Sequence, residues 1–319
     1  MHPPRYHIGH FLNRPDRPIP LLVGRLEDLP DPVGVRYPHC HAFYELLWVE
    51  SGSSRHRIDH REFAITPNTL FVIAPGQWHE WEDWHDDVRG WVVLFTEDFF
   101  RLSQLGAADL LFALTYLDSA LAEPALPLDT AAQSALRPLL TALTAEYGRA
   151  SGAAESLILR GLLLALLGHV QRAYRAGRAT SVAGAAGSAT GVVGYAARFR
   201  ELTSLLETRV GGADAPAPWH VSDLAAALHC TSRHLNRVCQ AVAGRPASEV
   251  VQARVVLEAQ RRLAYSAASV AEVAAGLGFA DSSYFARFFR RATGAAPLDW
   301  RRAVSEKYPK SAVPGAGRP

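Results

Sequence analysis

The residues best suited to chemistry lie near the C-terminus, on two stretches of helical spacing. Over Thr231–Val242, Ser232, Arg233, Asn236, Arg237 and Gln240 share one face, with Leu235 and Cys239 turned away. From Asp281 onward, Ser282, Ser283, Ala286, Arg287 and Arg290 share a face opposite Phe285, Phe288, Phe289 and Ala292. A guanidinium can grip guanine, and an asparagine amide adenine, through two parallel hydrogen bonds, each worth about 1–3 kcal/mol of discrimination. That chemistry assigns base reading to Arg233, Asn236 and Arg237 and a phosphate contact to Gln240. On the second stretch the candidates are Ser282, Ser283 and Arg287, with Arg290 or Arg291 on phosphate. Arg237 and Arg287 also admit a plainer role in solubility.

The flanking residues predict how such faces would be held. In Leu277–Gly294, Gly278 permits a tight turn, Asp281 or Ser282 can cap a helix start, and Gly294 followed by Pro297 stops it. One basic amphipathic helix is more simply a solvated surface; a second copy changes that reading. Leu228–Gly244 repeats the plan, with Leu235, Arg237 and Gly244 matching Phe285, Arg287 and Gly294. Asp223-Leu224-Ala225 likewise matches Glu272-Val273-Ala274, and the repeat slips by one residue in the turn, where insertions are tolerated. Two helix-turn-helix units follow. Phe199–Arg209 reads as the first helix of this region, Ser222-Asp223 as the cap of a helix over 223–228, and Ala247–Tyr265 as one continuous helix. At 1.5 Å per residue that helix is about 28 Å long. It can set the two faces near one turn of DNA apart, about 34 Å.

These residues resemble the DNA-binding domain of the AraC/XylS transcription regulators over Val221 to Arg302, about the last third of the chain. The most specific run is Ala274–Phe279, followed by Ser283-Tyr284-Phe285, Phe289-Arg290, Gly294 and Pro297. The resemblance implies duplex DNA and RNA polymerase as partners, a homodimer, and a first recognition helix that carries most of the specificity.

Composition agrees. A chain of 319 residues suits about two domains, and nearly half its residues are apolar. The net charge of +2 hides an asymmetry: residues 1–198 carry 17 Arg against 21 acidic residues, whereas 199–319 carry 16 Lys and Arg against 10. A basic part behind an acidic one fits a sensor joined to a nucleic-acid binder. Lysine occurs only at 307 and 310, a pattern read first as codon bias. Cys40, Cys230 and Cys239 make neither a disulfide framework nor a CxxC pair. The start lacks an apolar signal region, and the most apolar run, Leu157 to Gly168, is interrupted by Arg160 and shorter than the roughly 20 residues a bilayer needs. The expectation is a soluble, cytoplasmic protein with no membrane partner.

Toward the N-terminus the pattern shortens to alternating runs. Ala42–Glu50, Ser54–Asp59, Glu62–Thr66, Thr69–Ala74 and Gly90–Thr96 read as strands, with turns at Asp59-His60-Arg61 and Pro67-Asn68, so a small antiparallel barrel is expected. Gly34 through Glu45, with His39, His41 and Glu45, then Gly52, resembles the first cupin motif, one residue short before His39. Pro75-Gly76-Gln77-Trp78-His79 resembles part of the second, without its closing asparagine. In metal-binding cupins such residues converge on one divalent ion, so the resemblance makes His39, His41, Glu45 and His79 candidate ligands for Zn, Fe, Mn or Ni. The alternative is a metal-free pocket for an organic effector, lined by the same residues with Trp48 and Trp78. Trp81, Trp84 and Trp91 also cluster here, and tryptophans in a small barrel are often plain core. His56, His60 and His85 read as surface residues.

Helical periods follow at Glu97–Gln104, Ala107–Leu117, Thr130–Arg149 and Ala154–Ala176, the last leucine-rich on most sides and in need of cover, some of it from a second subunit. The fold class expected is α+β: a cupin-like antiparallel β-barrel with appended helices, then an all-α domain with two helix-turn-helix units. The boundaries are an arm at 1–32, barrel at 33–96, helical dimerisation segment at 97–176, flexible linker at 177–194, DNA-binding domain at 195–303 and disordered tail at 304–319. The function this predicts is an effector-responsive transcription regulator, an activator, and not an enzyme. Its rivals are a metal-dependent cupin enzyme tethered to DNA and an effector-independent repressor with a vestigial barrel.

Overall fold

The computed structural model describes residues 5–11, 20–28, 38–82, 87–101, 111, 114–149, 153–179, 189–211 and 219–307. The chain divides into two compact units, residues 3–186 and 187–319.

The first unit is built on antiparallel sheets. Strands β1 (Arg5–Tyr6), β2 (Leu21–Arg25), β3 (Cys40–His41), β4 (Tyr44–Ser51), β5 (Ser54–Ile58), β6 (Arg61–Ile65), β7 (Thr69–Ile73), β8 (His79–Glu82), β9 (Arg89–Phe95) and β10 (Ala125–Pro127) succeed one another along the chain. Five of them form a sheet in the order β10-β7-β4-β9-β2, three form a second in the order β6-β5-β8, and β1 pairs with β3 in parallel. The expected barrel is therefore two antiparallel sheets, with no closed ring of strands among the described residues. The expected arm is also corrected: β2 from residues 1–32 is an edge strand paired with β9 from Leu21↔Phe95 to Arg25↔Trp91. Strands β8 and β10 were not expected. Asp59 (φ 53°) and Asn68 (φ 62°) take the left-handed conformation that the two expected turns require. Gly90 lies so close to the Trp48 carbonyl that no Cβ fits between β4 and β9.

Both faces of the five-stranded sheet are covered, which is why β4 is buried from Tyr44 to Val49 and β7 along its whole length. Leu47, Val49, Phe71, Ile73, Val92 and Leu94 pack with Ile58, Ile65 and Trp81 of the smaller sheet. Leu46, Trp48, Leu70, Val72, Trp91 and Val93 pack with the helices α2 (Thr130–Tyr147) and α3 (Ala153–Ala179). Of the expected helix over 97–104 the described part is α1 (Asp98–Arg101), and of that over 107–117 a single 3-10 turn at Thr115–Leu117. Most of their remaining residues, like Trp84 and His85, lie outside the described residues. Helix α3 is long and apolar enough over Ser156–Gly177 to cross a membrane by length and composition. It is a core helix here: Leu159, Leu163, Leu166, Leu167, Val170 and Tyr174 are buried against the sheet and α2, and the Tyr116 hydroxyl donates to the Leu167 carbonyl at 3.0 Å.

The second unit is helical: α4 (Ala189–Gly211), α5 (Val221–Ala227), α6 (Ser232–Ala243), α7 (Ala247–Tyr265), α8 (Val270–Gly276), α9 (Ser282–Thr293) and α10 (Pro297–Lys307). Helix α3 runs to Ala179 and α4 starts at Ala189, so both ends of the expected linker at 177–194 are helical; the intervening 180–188 lie outside the described residues. The expected tail at 304–319 likewise begins inside α10, and 308–319 lie outside the described residues. Helix α7 has the expected bounds.

Candidate nucleic-acid interface and buried histidine cluster

In each helix-turn-helix pair a leading helix ends at a leucine, the chain turns through a left-handed residue, and a capped recognition helix begins. Leu228 and Leu277 are the matched C-caps, followed by His229 (φ 51°) and Gly278 (φ 77°). Thr231 Oγ1 then accepts from the His234 N–H at 3.1 Å to start α6. Asp281 accepts from the Ser283 and Tyr284 N–H groups, each at 3.0 Å, to start α9, and these bonds hold its carboxyl below the usual carboxylate range. The expected Ser222-Asp223 cap is absent. The N-cap is His220, without a side-chain bond, and Asp223 sits in the first turn, where a carboxylate suits the helix dipole. Gly244 and Gly294, both left-handed, close the recognition helices.

The two leucine carbonyls exposed by the turns are clamped from elsewhere in the unit. Arg198 of α4 donates to Leu228 O at 2.9 Å, and the Trp219 indole donates to Leu277 O at 2.8 Å. Leu235, Val238, Cys239 and Val242 seat α6; Phe285 and Phe289 seat α9. Burial pushes the Cys239 thiol up to about 12, so it is an inert apolar residue. Ala292 is exposed and Phe288 half-buried, so the apolar stripe of α9 is narrower than expected.

Ser232, Arg233, Asn236, Arg237, Gln240, Ser282, Ser283, Arg287 and Arg290 are all exposed. Among the described residues, Arg233, Arg237, Arg287 and Arg290 form no ion pair, whereas Arg198, Arg254, Arg262 and Arg302 each face a carboxylate. Both recognition faces thus carry unpaired arginines, which a polyanion would meet without first breaking a salt bridge. Asn236, exposed on the same face, also has a partner within its own domain: its Oδ1 accepts the Ala247 N–H at 3.0 Å.

The second candidate site lies within the first unit. Strand β4 alternates, so Tyr44, Leu46 and Trp48 face the helices while Glu45, Leu47 and Val49 face the smaller sheet. Glu45 thereby meets His41 from β3 and His79 from the start of β8. The Glu45 Oε2 atom lies 3.2 Å from His41 Nε2 and 3.9 Å from His79 Nε2. The three ligand atoms fall within 4.8 Å of one another. His39, bridged to His79 through paired backbone bonds, has its ring centroid 4.1 Å from that of His79, the rings tilted by 47°. All four residues are buried.

His56 joins them, contrary to the expectation of a surface residue. It is fully buried, stacked on Trp81 at 4.5 Å, and its Nε2 lies 3.1 Å from His79 Nδ1. The signal was present in Ser54-Arg55-His56-Arg57-Ile58: with both arginines turned outward, alternation points His56 inward. Burial first, then the charges of His39 and His41, hold His56 at about 3. Burial likewise keeps His79 well below the ordinary histidine value, with the charges of His39, His41 and His56 adding to it. Both rings are therefore neutral. His41 Nδ1 lies 2.7 Å from the Phe43 carbonyl, which can only accept, so Nδ1 carries the proton. His79 Nε2, on the same carboxylate, is buried without a hydrogen-bond partner.

Of the remaining expected pocket residues, Trp48 lies on the opposite face of the sheet, under the Arg137 guanidinium at 5.1 Å, and so does not line the cluster. Trp78 is half-buried next to His79 in the chain. Unexpectedly, the N-terminal segment reaches the cluster: the Tyr6 ring meets that of His39 at 5.7 Å, and Phe11 meets Phe43 at 5.4 Å.

Comparison with known proteins bears on both sites. Residues 31–167 match the AraC-like ligand binding domain, and residues 224–303 match a helix-turn-helix domain. The chain is a member of the AraC family. It is 25% identical over 275 residues to the HTH-type transcriptional activator RhaR of Enterobacter sp. (strain 638), covering 84% of this chain and 90% of that protein. It is 24% identical to RhaR of Escherichia coli O139:H28, covering 86% of this chain and 92% of that protein. The solved structure of ToxT from Vibrio cholerae aligns with 13% identity over 88% of this chain and 97% of that one, at a TM-score of 0.36, which adds nothing to the assignment. This AraC-family protein is thus a DNA-binding transcription regulator with a ligand-binding domain.

Proposed function

We propose that this regulator activates transcription as a homodimer, reading duplex DNA with α6 and α9, and that occupancy of the His41–Glu45–His79 cluster tunes its DNA affinity. The occupant that fits the donor set is a divalent transition metal, Zn, Fe, Mn or Ni. Two imidazoles and a carboxylate suit such ions and leave coordination positions open for a further molecule. The observation that carries this reading is the pair of Nε2 atoms facing one carboxylate oxygen, with His79 Nε2 buried and unpartnered. Each ring is also held from its outer nitrogen, His41 by the Phe43 carbonyl and His79 by His56, the arrangement that orients metal-binding histidines. His39 stands beside these three as a fourth ligand.

Activation rather than repression, and with it contact with RNA polymerase, is carried over from the relatives named activators. Pairing of copies through α3 is supported by Leu157 and Ile158, which are large, apolar and exposed. Such a protein acts in the cytoplasm, as a binder without catalytic turnover.

Two measurements test the reading together. Elemental analysis after metal reconstitution should give about one ion per chain, lost in His41→Ala/His79→Ala. Affinity for a site selected from random duplexes should differ with and without metal in the wild type and not in that variant. Arg237→Ala should weaken the site by about 1–3 kcal/mol and relax its sequence preference. No bound metal after reconstitution sinks the metal assignment, and an Arg237→Ala protein with unchanged affinity and preference sinks the groove assignment.

A further inference from the structure

Asn236 differs from its neighbours on α6 in having a partner within its own unit. Its Oδ1 accepts from the N–H of Ala247, the first residue of α7. The first N–H groups of a helix have no acceptor inside the helix, and the N-cap here, Pro246, offers none from its side chain. Ala247 is fully buried, so water cannot serve instead. The second unit supplies the control. Helix α10 begins at Pro297, the residue matching Ala247, and proline has no N–H to satisfy. The position matching Asn236 is there Ala286. Where the donor exists the acceptor is present; where proline has removed the donor, alanine suffices.

We infer that Asn236 is a positioning residue that ties recognition helix α6 to the start of α7, and that base reading in the first unit falls to Arg233 and Arg237. An amide held by its own chain is not free to lay its plane on a base edge. The tether instead fixes the angle at which the two arginines leave α6 relative to α7, the helix that joins the two helix-turn-helix units. The DNA part of this inference rests on α6 being a groove helix; the structural part does not.

The test uses the full-length protein with Asn236→Ala, Asn236→Asp and the double variant Asn236→Ala/Ala247→Pro. Thermal midpoint, affinity for the wild-type site and base preference at every position of a randomised site are measured for each. Asn236→Ala should lower the midpoint by about 4 °C and weaken the site about five-fold, with preference unchanged at every position. Aspartate, which keeps an acceptor, and the proline double variant, which removes the donor, should each restore both quantities. A loss of preference at one position with the midpoint unchanged overturns the inference. So does an Asn236→Ala defect that neither aspartate nor proline relieves. If Arg233→Ala and Arg237→Ala also leave DNA binding untouched, the groove assignment fails, while thermal rescue by proline still establishes the tether.

Discussion

In the first helix-turn-helix unit four modest side chains, Leu235, Val238, Cys239 and Val242, seat the recognition helix; in the second an aromatic cluster does so. Phe279 meets both Phe285 and Phe288 at 5.2 Å, Phe289 lies 5.8 Å from Phe285, and Trp300 of α10 closes the group edge-on at 5.9 Å from Phe289. The polar devices differ in the same direction. The second unit has a Ser269–Glu272 capping box, a carboxylate cap at Asp281, glycine in the turn and proline opening the next helix. The first has an uncapped start at His220, a hydroxyl cap at Thr231, histidine in the turn and a tethering asparagine. One shape is thus reached with an aromatic core, a charged cap and a proline in one unit, and with smaller side chains, a hydroxyl cap and an asparagine acceptor in the other. The exposed faces differ as well: α6 carries longer polar side chains toward DNA, while α9 leads with serines.

If the second unit depends on its aromatic core, truncation there should cost most. Cys239 and Phe289 occupy matched, fully buried positions. Phe289→Ala should destabilise the DNA-binding unit by about 3–5 kcal/mol, and Cys239→Ala by only about 1 kcal/mol. Denaturant unfolding of the full chain, followed through the helical signal, measures both. Equal costs would break the comparison, because they would mean that the two units share one undivided core.

Much of this second unit was legible because its signals are local. The left-handed glycines at 278 and 294, the Asp281 cap and the bounds of α7 each depend on a few adjacent residues. The Asn236–Ala247 bond was not legible because the partner lies eleven residues away, while the chemical type of Asn236 points by itself only to adenine. In the N-terminal, sheet-built unit the strand positions were legible and their closure was not. Alternation places a residue on a face but does not say which edges pair, and β2 was hidden among prolines at 15, 18, 20, 30 and 32. Trp48 and Glu45 stand close in sequence yet on opposite faces of β4, so grouping them in one pocket contradicted the alternation itself. The His41, Glu45 and His79 set was visible only through resemblance, since its members come from separate strands.

The turn residues sharpen the comparison at smaller scale. His229 has φ 51°, a conformation that costs an ordinary L-residue roughly 1–2 kcal/mol, at the position where the second unit has Gly278. His229→Gly should therefore stabilise the first unit, by about 1 kcal/mol once the extra freedom glycine gives the unfolded chain is set against the relieved strain. Gly278→Ala should destabilise the second by about 1–2 kcal/mol. Thermal midpoints of the two variants should move in opposite directions; a shift of the same sign in both would show that the turns are not equivalent.

The caps give the smallest and most diagnostic contrast, because one is titratable and the other is not. The Asp281 carboxyl is held below its ordinary value chiefly by the N–H groups of Ser283 and Tyr284, with Arg287 adding to the effect. A group whose folded value is depressed stabilises the fold above its unfolded value, about 4, and loses that contribution as the pH falls through the folded one. Thr231 stays neutral throughout. Thr231→Ala should thus cost about 1 kcal/mol at any pH. Asp281→Ala should cost stability at pH 7 and progressively less below about pH 4, where the protonated acid has lost its advantage as an acceptor. Midpoints of the wild type and both variants, compared at pH 7 and near pH 3, separate the two behaviours. If the Asp281→Ala penalty persisted undiminished in acid, the cap would not be acting through its charge, and this difference between the units would fall.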